Sequence, residues 1–166
     1  MPALPTNPHI LEVGCGTGKN LISLKQRYPD AQITGVDLSR DMLGKARKKI
    51  TDSSISLKRM SYGSGDLNNK PYDLILLSYS LTMMGAAYPQ IIKELKNDLS
   101  PNGYLAAVDF HTSPFSWFRH WMNKNHVDFS GALYPLLKQN FKRIDTNFHS
   151  AYLGLWNYFQ FIGTQN

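Results

Sequence analysis

Between His9 and Gly18 the chain leaves itself few options: an apolar run, His9 to Val13, passes directly into Gly14-Cys15-Gly16-Thr17-Gly18. A strand that ends in alternate glycines turns sharply, because glycine tolerates a left-handed backbone and puts no Cβ in the way of a close neighbour. The next ten residues are amphipathic. Leu21, Ile22 and Leu24 share one side of a helix predicted over 19–28, which Pro29 ends. Strand, glycine turn and helix make the first half of a βαβ unit, and commit the chain to a parallel sheet with right-handed crossovers.

The same rhythm continues. A strand is predicted over 32–37, then Ser39 caps a helix reaching 50 with Met42, Leu43 and Ala46 turned inward. A short strand surrounds Ile55 and Leu57. The run Tyr72-Asp73-Leu74-Ile75-Leu76-Leu77-Ser78 is almost unbroken in its apolarity, as a central strand buried on both faces requires. A helix over 89–99 leads into Ser100-Pro101-Asn102-Gly103, which reads as a turn before a strand over 104–110. Beyond an aromatic-rich segment come a helix near 132–139 and two β-leaning runs, 142–149 and 155–162, that read as a closing antiparallel pair. No repeat, low-complexity tract or flexible linker divides the 166 residues, so a single domain over 1–166 is expected.

Nine Tyr, eight Phe and three Trp exclude a disordered tail. A formal charge of +6 favours phosphate-rich surfaces, nucleic acid and anionic lipid alike, although Lys45, Arg47, Lys48 and Lys49 also suit a plain solvated helix face. The single Cys15 and the lack of a charged-then-apolar leader point to the cytoplasm, with the inner membrane surface as a peripheral location.

Asp37 ends the second strand about 20 residues beyond the glycines, the spacing at which a carboxylate reaches ribose hydroxyls. Turn and acid together describe an adenosine-containing ligand. A dinucleotide fingerprint would need its third glycine where Lys19 stands, and a P-loop would need Ser or Thr where Asn20 stands. A ligand without phosphates is therefore expected.

Glu12-x-Gly14-x-Gly16-x-Gly18, Asp37 and Tyr72-Asp73 together resemble the class I S-adenosylmethionine-dependent methyltransferases over nearly the whole chain. The resemblance implies an α/β, Rossmann-like, seven-stranded and mostly parallel sheet with helices on both faces and a C-terminal antiparallel strand. It implies S-adenosylmethionine as cofactor, with Glu12, Gly14, Cys15, Gly16, Thr17 and Gly18 against the methionine part, Asp37 on the ribose, and Leu38 and Met42 against adenine. The acid that such enzymes carry after the third strand is missing. Ser61 stands in its place, with Met60 and Tyr62 beside it and Asp66 as the nearest carboxylate; Ser78 closes the cofactor set.

Ser78-Tyr79-Ser80-Leu81-Thr82-Met83-Met84, Val108-Asp109-Phe110, Trp117-Phe118-Arg119 and His126-Val127 further resemble the betaine-lipid, diacylglyceryl-homoserine N-methyltransferases. That implies an amine on a lipid headgroup as acceptor; another small-molecule acceptor and a non-catalytic cofactor-binding module are the alternatives. Tyr79 and His111 follow the fourth and fifth strands, at the sheet edge where ligands bind, and are the expected catalytic pair; His126 is carried by the resemblance, and Asp109 is expected to orient a neighbour. The segment 114–124 interleaves aromatic and basic groups, as at a lipid interface or as core that caps the sheet. Its aromatics are too confined for an extended nucleic-acid groove, so a nucleic-acid partner is disfavoured. Eight residues precede the first strand, fewer than the N-terminal helices that cover the cofactor in many such enzymes, so the domain is expected to lack them; a partner or an oligomer could supply that cover.

Overall fold

Residues 3–64, 67 and 71–165 are described by a computed structural model, and among them seven strands alternate with helices. In chain order these are β1 (His9–Val13), α1 (Lys19–Arg27), β2 (Gln32–Asp37), α2 (Arg40–Arg47), β3 (Ile55–Arg59), β4 (Tyr72–Ser78), α3 (Tyr88–Asp98), β5 (Leu99–Thr112), α4 (Ser116–Lys124), α5 (Leu133–Asn140), β6 (Phe141–Ala151) and β7 (Trp156–Gln165). The sheet runs β3-β2-β1-β4-β5-β7-β6; the first five strands are parallel, and β7 lies antiparallel to both β5 and β6. This is the expected Rossmann-like architecture. The chain steps outward from β1 to β3 and then crosses back to place β4 on the other side of β1, and that reversal opens a crevice at the carboxyl ends of both strands.

Strand side chains alternate between two cores. Leu11, Val13, Ile75, Leu77, Leu105 and Ala107 meet α3 and α5 through Ile92, Leu95, Leu133 and Leu137. Ile10, Ile33, Leu74 and Ala106 face the other way and meet Leu21, Leu24 and Leu43 of α1 and α2. Gly35 lets that second layer sit close, since a Cβ there would stand 2.6 Å from Leu21 Cδ1.

Two sequence expectations shift. Ser100-Pro101-Asn102-Gly103 is no free turn but part of β5: Leu99 pairs with Tyr72, and a register irregularity precedes the pairing of Tyr104 with Leu74. Gly103 is needed there because a Cβ would lie 2.7 Å from the Tyr72 carbonyl oxygen. The aromatic-rich segment, to which the sequence pattern assigns no element, contains α4, whose Phe118 packs with Val127 and Phe129 into a small third core. Asp73 of the family motif lies at the opposite end of β4 from the crevice, where it accepts from His9 N at 2.9 Å and Ser100 Oγ at 3.2 Å and ties three strand starts together.

Candidate active site

A cavity of about 590 Å³ occupies the crevice. Its floor is the glycine turn. Gly14 and Gly16 adopt φ of 77° and 52°, and the amides of Gly14 and Cys15 both donate to Val36 O, locking the turn to the end of β2. A Cβ on Gly14 would stand 2.5 Å from Ser80 Cβ, whereas one on Gly16 would meet nothing within 4 Å. Gly14 thus admits a protein neighbour, and Gly16 leaves open space.

The turn reaches Asp37 directly, because Gly16 N donates to its Oδ2 at 2.8 Å while Ser39 N donates to Oδ1 at 2.8 Å. Each carboxylate oxygen keeps a lone pair for an incoming hydroxyl. Ser39 Oγ in turn accepts from Met42 N and caps α2, which fixes Leu38 and Met42 at the cavity wall, 70% and 40% exposed. Met60, Ser61 and Tyr62 form the next stretch of wall. Tyr62 contributes its ring only: its hydroxyl donates to Asp98 Oδ2 at 2.6 Å, and burial with that carboxylate pushes the phenol far up.

The far wall comes from the end of β4. Tyr79 takes φ 53°, strained for a residue with a Cβ, and Ser80 Oγ donates to Val13 O at 2.9 Å. Asp109, fully buried, organises the 3-10 turn Leu81–Met83: its Oδ2 accepts from Leu81 N and Thr82 N, and its Oδ1 from Thr82 Oγ1 and Phe110 N. The expectation that Asp109 orients a neighbour describes this arrangement. Met83, Met84, Ala87 and Ile91 complete the wall.

The structure therefore brings Gly14, Gly16, Asp37, Leu38, Met42, Met60, Ser61, Tyr62 and Tyr79 to one cavity. Glu12, Cys15, Thr17, Gly18 and Ser78 do not line it. Cys15 packs its thiol into the core beside Gly35, where burial and the Glu12 and Asp37 carboxylates push it up to about 12. Gly18 serves packing, with Ile50 and Ala46 against it. Glu12 is buried beneath the turn, its Oε1 bonded to Asn20 Nδ2 at 2.8 Å and its Oε2 without a partner; burial and nearby Asp37 raise its carboxyl to about 7 against the pull of Asn20.

His111 lies elsewhere, among Tyr134, Phe148 and Phe159, with burial lowering its imidazole. His126 is exposed in the connection after α4, and Asp66 lies outside the described residues. Sequence reasoning does not find Ser80, Ser39, Met83, Met84, Ala87 and Ile91 as wall residues. Ser39, Ser80, Met83 and Met84 lie just beyond the ends of β2 and β4, whereas Ala87 and Ile91 come from the start of α3 and its approach, which no strand-end signal marks.

The residues fit a cationic, phosphate-free adenosine ligand. Asp37 offers two acceptors beside apolar plates, Gly16 opens the floor, and no Lys, Arg or His stands among the described lining residues. The sequence pattern of the methyltransferase domain matches residues 10–103, more than half of the chain.

The chain belongs to the methyltransferase domain family. Its cofactor is S-adenosylmethionine. The malonyl-[acyl-carrier protein] O-methyltransferase of Acetivibrio thermocellus is 33% identical over 110 residues, which are 64% of this chain and 37% of that relative. The chain thus spans well under half the length of such a relative. In fold it is similar to the N-methyltransferase NodS of Bradyrhizobium japonicum, solved with S-adenosylhomocysteine (TM-score 0.76, 15% identity, 95% of this chain and 78% of that one). It is similar also to phosphoethanolamine N-methyltransferase 2 of Haemonchus contortus, solved with phosphomonomethylethanolamine and S-adenosylhomocysteine (TM-score 0.80, 12% identity, 98% and 50%).

Proposed function

We propose that this methyltransferase domain N-methylates an amine acceptor, and that the amine is carried on a lipid headgroup of the diacylglyceryl-homoserine type. The observation that carries the amine reading is the composition of the cavity wall: no cationic side chain occurs among its described residues, although a carboxylate acceptor would call for one. The aromatic and basic surface beside the cavity supports the lipid part, with the domain meeting the membrane peripherally; no helix among the described residues is long and apolar enough to cross one.

The bound cofactor supplies an electrophilic methyl group on a sulfonium. The rest is alignment by this chain. Asp37 accepts from the ribose hydroxyls, and Leu38 and Met42 hold the adenine with Met60 and Ser61, while Glu12 beneath the turn supports the glycine floor through Asn20. An amine must arrive unprotonated to attack. Burial and the neighbouring Tyr158 and Asp109 raise the Tyr79 phenol above its ordinary value, so it stays protonated and serves as an orienting hydrogen-bond partner rather than a base. His111, which does not line the cavity, is assigned no step.

Calorimetric titration with S-adenosylmethionine and S-adenosylhomocysteine tests the cofactor half, with Asp37→Ala expected to abolish binding. Methyl incorporation into amine-headgroup lipids, compared with soluble carboxylic acids, tests the acceptor half. Tyr79→Phe is expected to slow turnover while leaving cofactor binding intact. Methylation of carboxylates in preference to amines would overturn the reading.

A further inference from the structure

A continuous path of aromatic rings leads from the cavity to an exposed surface. Tyr79 packs on Phe110 at 4.8 Å between ring centroids, and Phe110 meets Trp156 edge-on at 6.2 Å. Trp156 stacks flat on Phe118 of α4 at 5.8 Å and touches Tyr152 at 4.5 Å, while Phe118 meets Trp121 at 5.9 Å. Two segments distant in sequence, α4 and the 3-10 turn Tyr152–Gly154, thus share one outer face.

Each contributes apolar groups that folding in water does not require to be outside. The helical period puts Trp117, His120, Trp121 and Lys124 on one side of α4 and Phe118 and Met122 on the other. The second side is packed inward; on the first, Trp117 and Trp121 are 63% and 55% exposed. In the turn, Tyr152 and Leu153 take φ of 49° and 56°, a left-handed pair without glycine, and Leu153 is fully exposed. Strain that projects a leucine into solvent beside two tryptophans is the pattern of a functional contact. α4 carries no carboxylate and two cations: Lys124 on the exposed side and Arg119, whose Nη1 donates to Ser113 O. Tryptophan, tyrosine and a leucine tip among cations match the headgroup region of an anionic bilayer in both polarity and charge.

We propose that the outer face of α4 and the Tyr152–Gly154 turn form a docking surface for an anionic lipid bilayer, which holds the mouth of the cavity against the headgroups. What is delivered there rests on the lipid-headgroup reading above; the docking itself does not. α4 is attached to the cavity mouth, since Asp128 N, just beyond it, donates to Thr82 O at 2.9 Å in the turn that Asp109 organises. Docking therefore orients the site as well as concentrating substrate.

The test is sedimentation of the full chain with vesicles of phosphatidylcholine alone or mixed with phosphatidylglycerol, followed also by tryptophan emission. Binding to the anionic vesicles, with a blue shift and a loss at high salt, is expected. Leu153→Asn, which suits a left-handed backbone, is expected to weaken partitioning about tenfold or more. Lys124→Glu is expected to weaken it about fivefold, on anionic vesicles only. Both variants should keep the wild-type cofactor titration and thermal melt. No vesicle binding, or binding indifferent to Leu153→Asn and to Trp117→Ala with Trp121→Ala, would overturn the proposal. So would a lipid-free dimer that Leu153→Asn dissolves, because a second copy would then cover the face, or a single-stranded oligonucleotide that outcompetes vesicles. Vesicle binding without headgroup methylation would leave the docking surface standing and remove the acceptor reading; methylation of soluble headgroup amines without vesicle binding would do the reverse.

Discussion

Glu12 carries a buried carboxyl with one oxygen unpartnered, raised to about 7 from an ordinary value of 4.5. Between those values the folded chain holds a proton that the unfolded chain releases, so Glu12 lowers stability as pH rises from about 5 to 8, by up to about 3 kcal/mol. Glu12→Gln should flatten that slope, as read by urea unfolding at pH 5 and pH 8; an unchanged slope would place the titration elsewhere. The glycines divide similarly by what lies beyond them. Gly14→Ala drives a Cβ into Ser80 at positive φ and should cost about 2–4 kcal/mol. Gly16→Ala meets only open space, so it should cost about 1 kcal/mol in stability while weakening cofactor affinity far more. Thermal melts and cofactor titrations on the two variants separate these effects. Asp37 is legible in sequence because its place at the cavity follows from a strand end alone. Ser80 is not, because what places it is a contact with Gly14 across the gap between two strands.

Among elements, the 3-10 turn after β4 depends most on a single side chain. Asp109 accepts from two backbone amides and a hydroxyl of that turn, and an amide in its place cannot satisfy the same donors. Asp109→Asn should cost about 2–3 kcal/mol and also weaken cofactor binding, because Tyr79, Ser80 and Met83 lose their anchor. Asp73→Asn disturbs the opposite end of the sheet and should affect stability alone. Equal cofactor affinity in the Asp109 variant would show the turn to be held by its other contacts. The elements legible in sequence are those whose apolar period matches one state throughout, such as β4 and α1. α4 escapes sequence reasoning because large apolar residues at helical spacing, Trp117, Phe118, Trp121 and Met122, read equally as a loop of core residues caught against the sheet. The Pro101–Gly103 stretch misleads because turn chemistry within a strand gives a register irregularity whose partner, Tyr72, lies far back in the chain.

Across the whole molecule, protection derives from the strand order. β1, β4 and β5 are covered on both faces and paired on both sides, whereas β6 among the described residues pairs only with β7 and exposes most of its residues. Amides at Leu74–Leu77 should therefore exchange hydrogen only through global unfolding, and those along β6 through local opening at lower free energy. The cavity joins three places distant in sequence: the glycine turn, the end of β2, and the turn after β4. They are coupled by Gly16 N on Asp37 and by Ser80 Oγ on Val13 O. A ligand seated among them should slow exchange at residues 14–18, 37–42 and 80–84 together, with little change along β6. Hydrogen exchange with and without S-adenosylhomocysteine measures this directly. Protection confined to residues 14–18 would mean that the wall built by β4 and Asp109 belongs to the acceptor alone, and Tyr79 would then face acceptor but not cofactor.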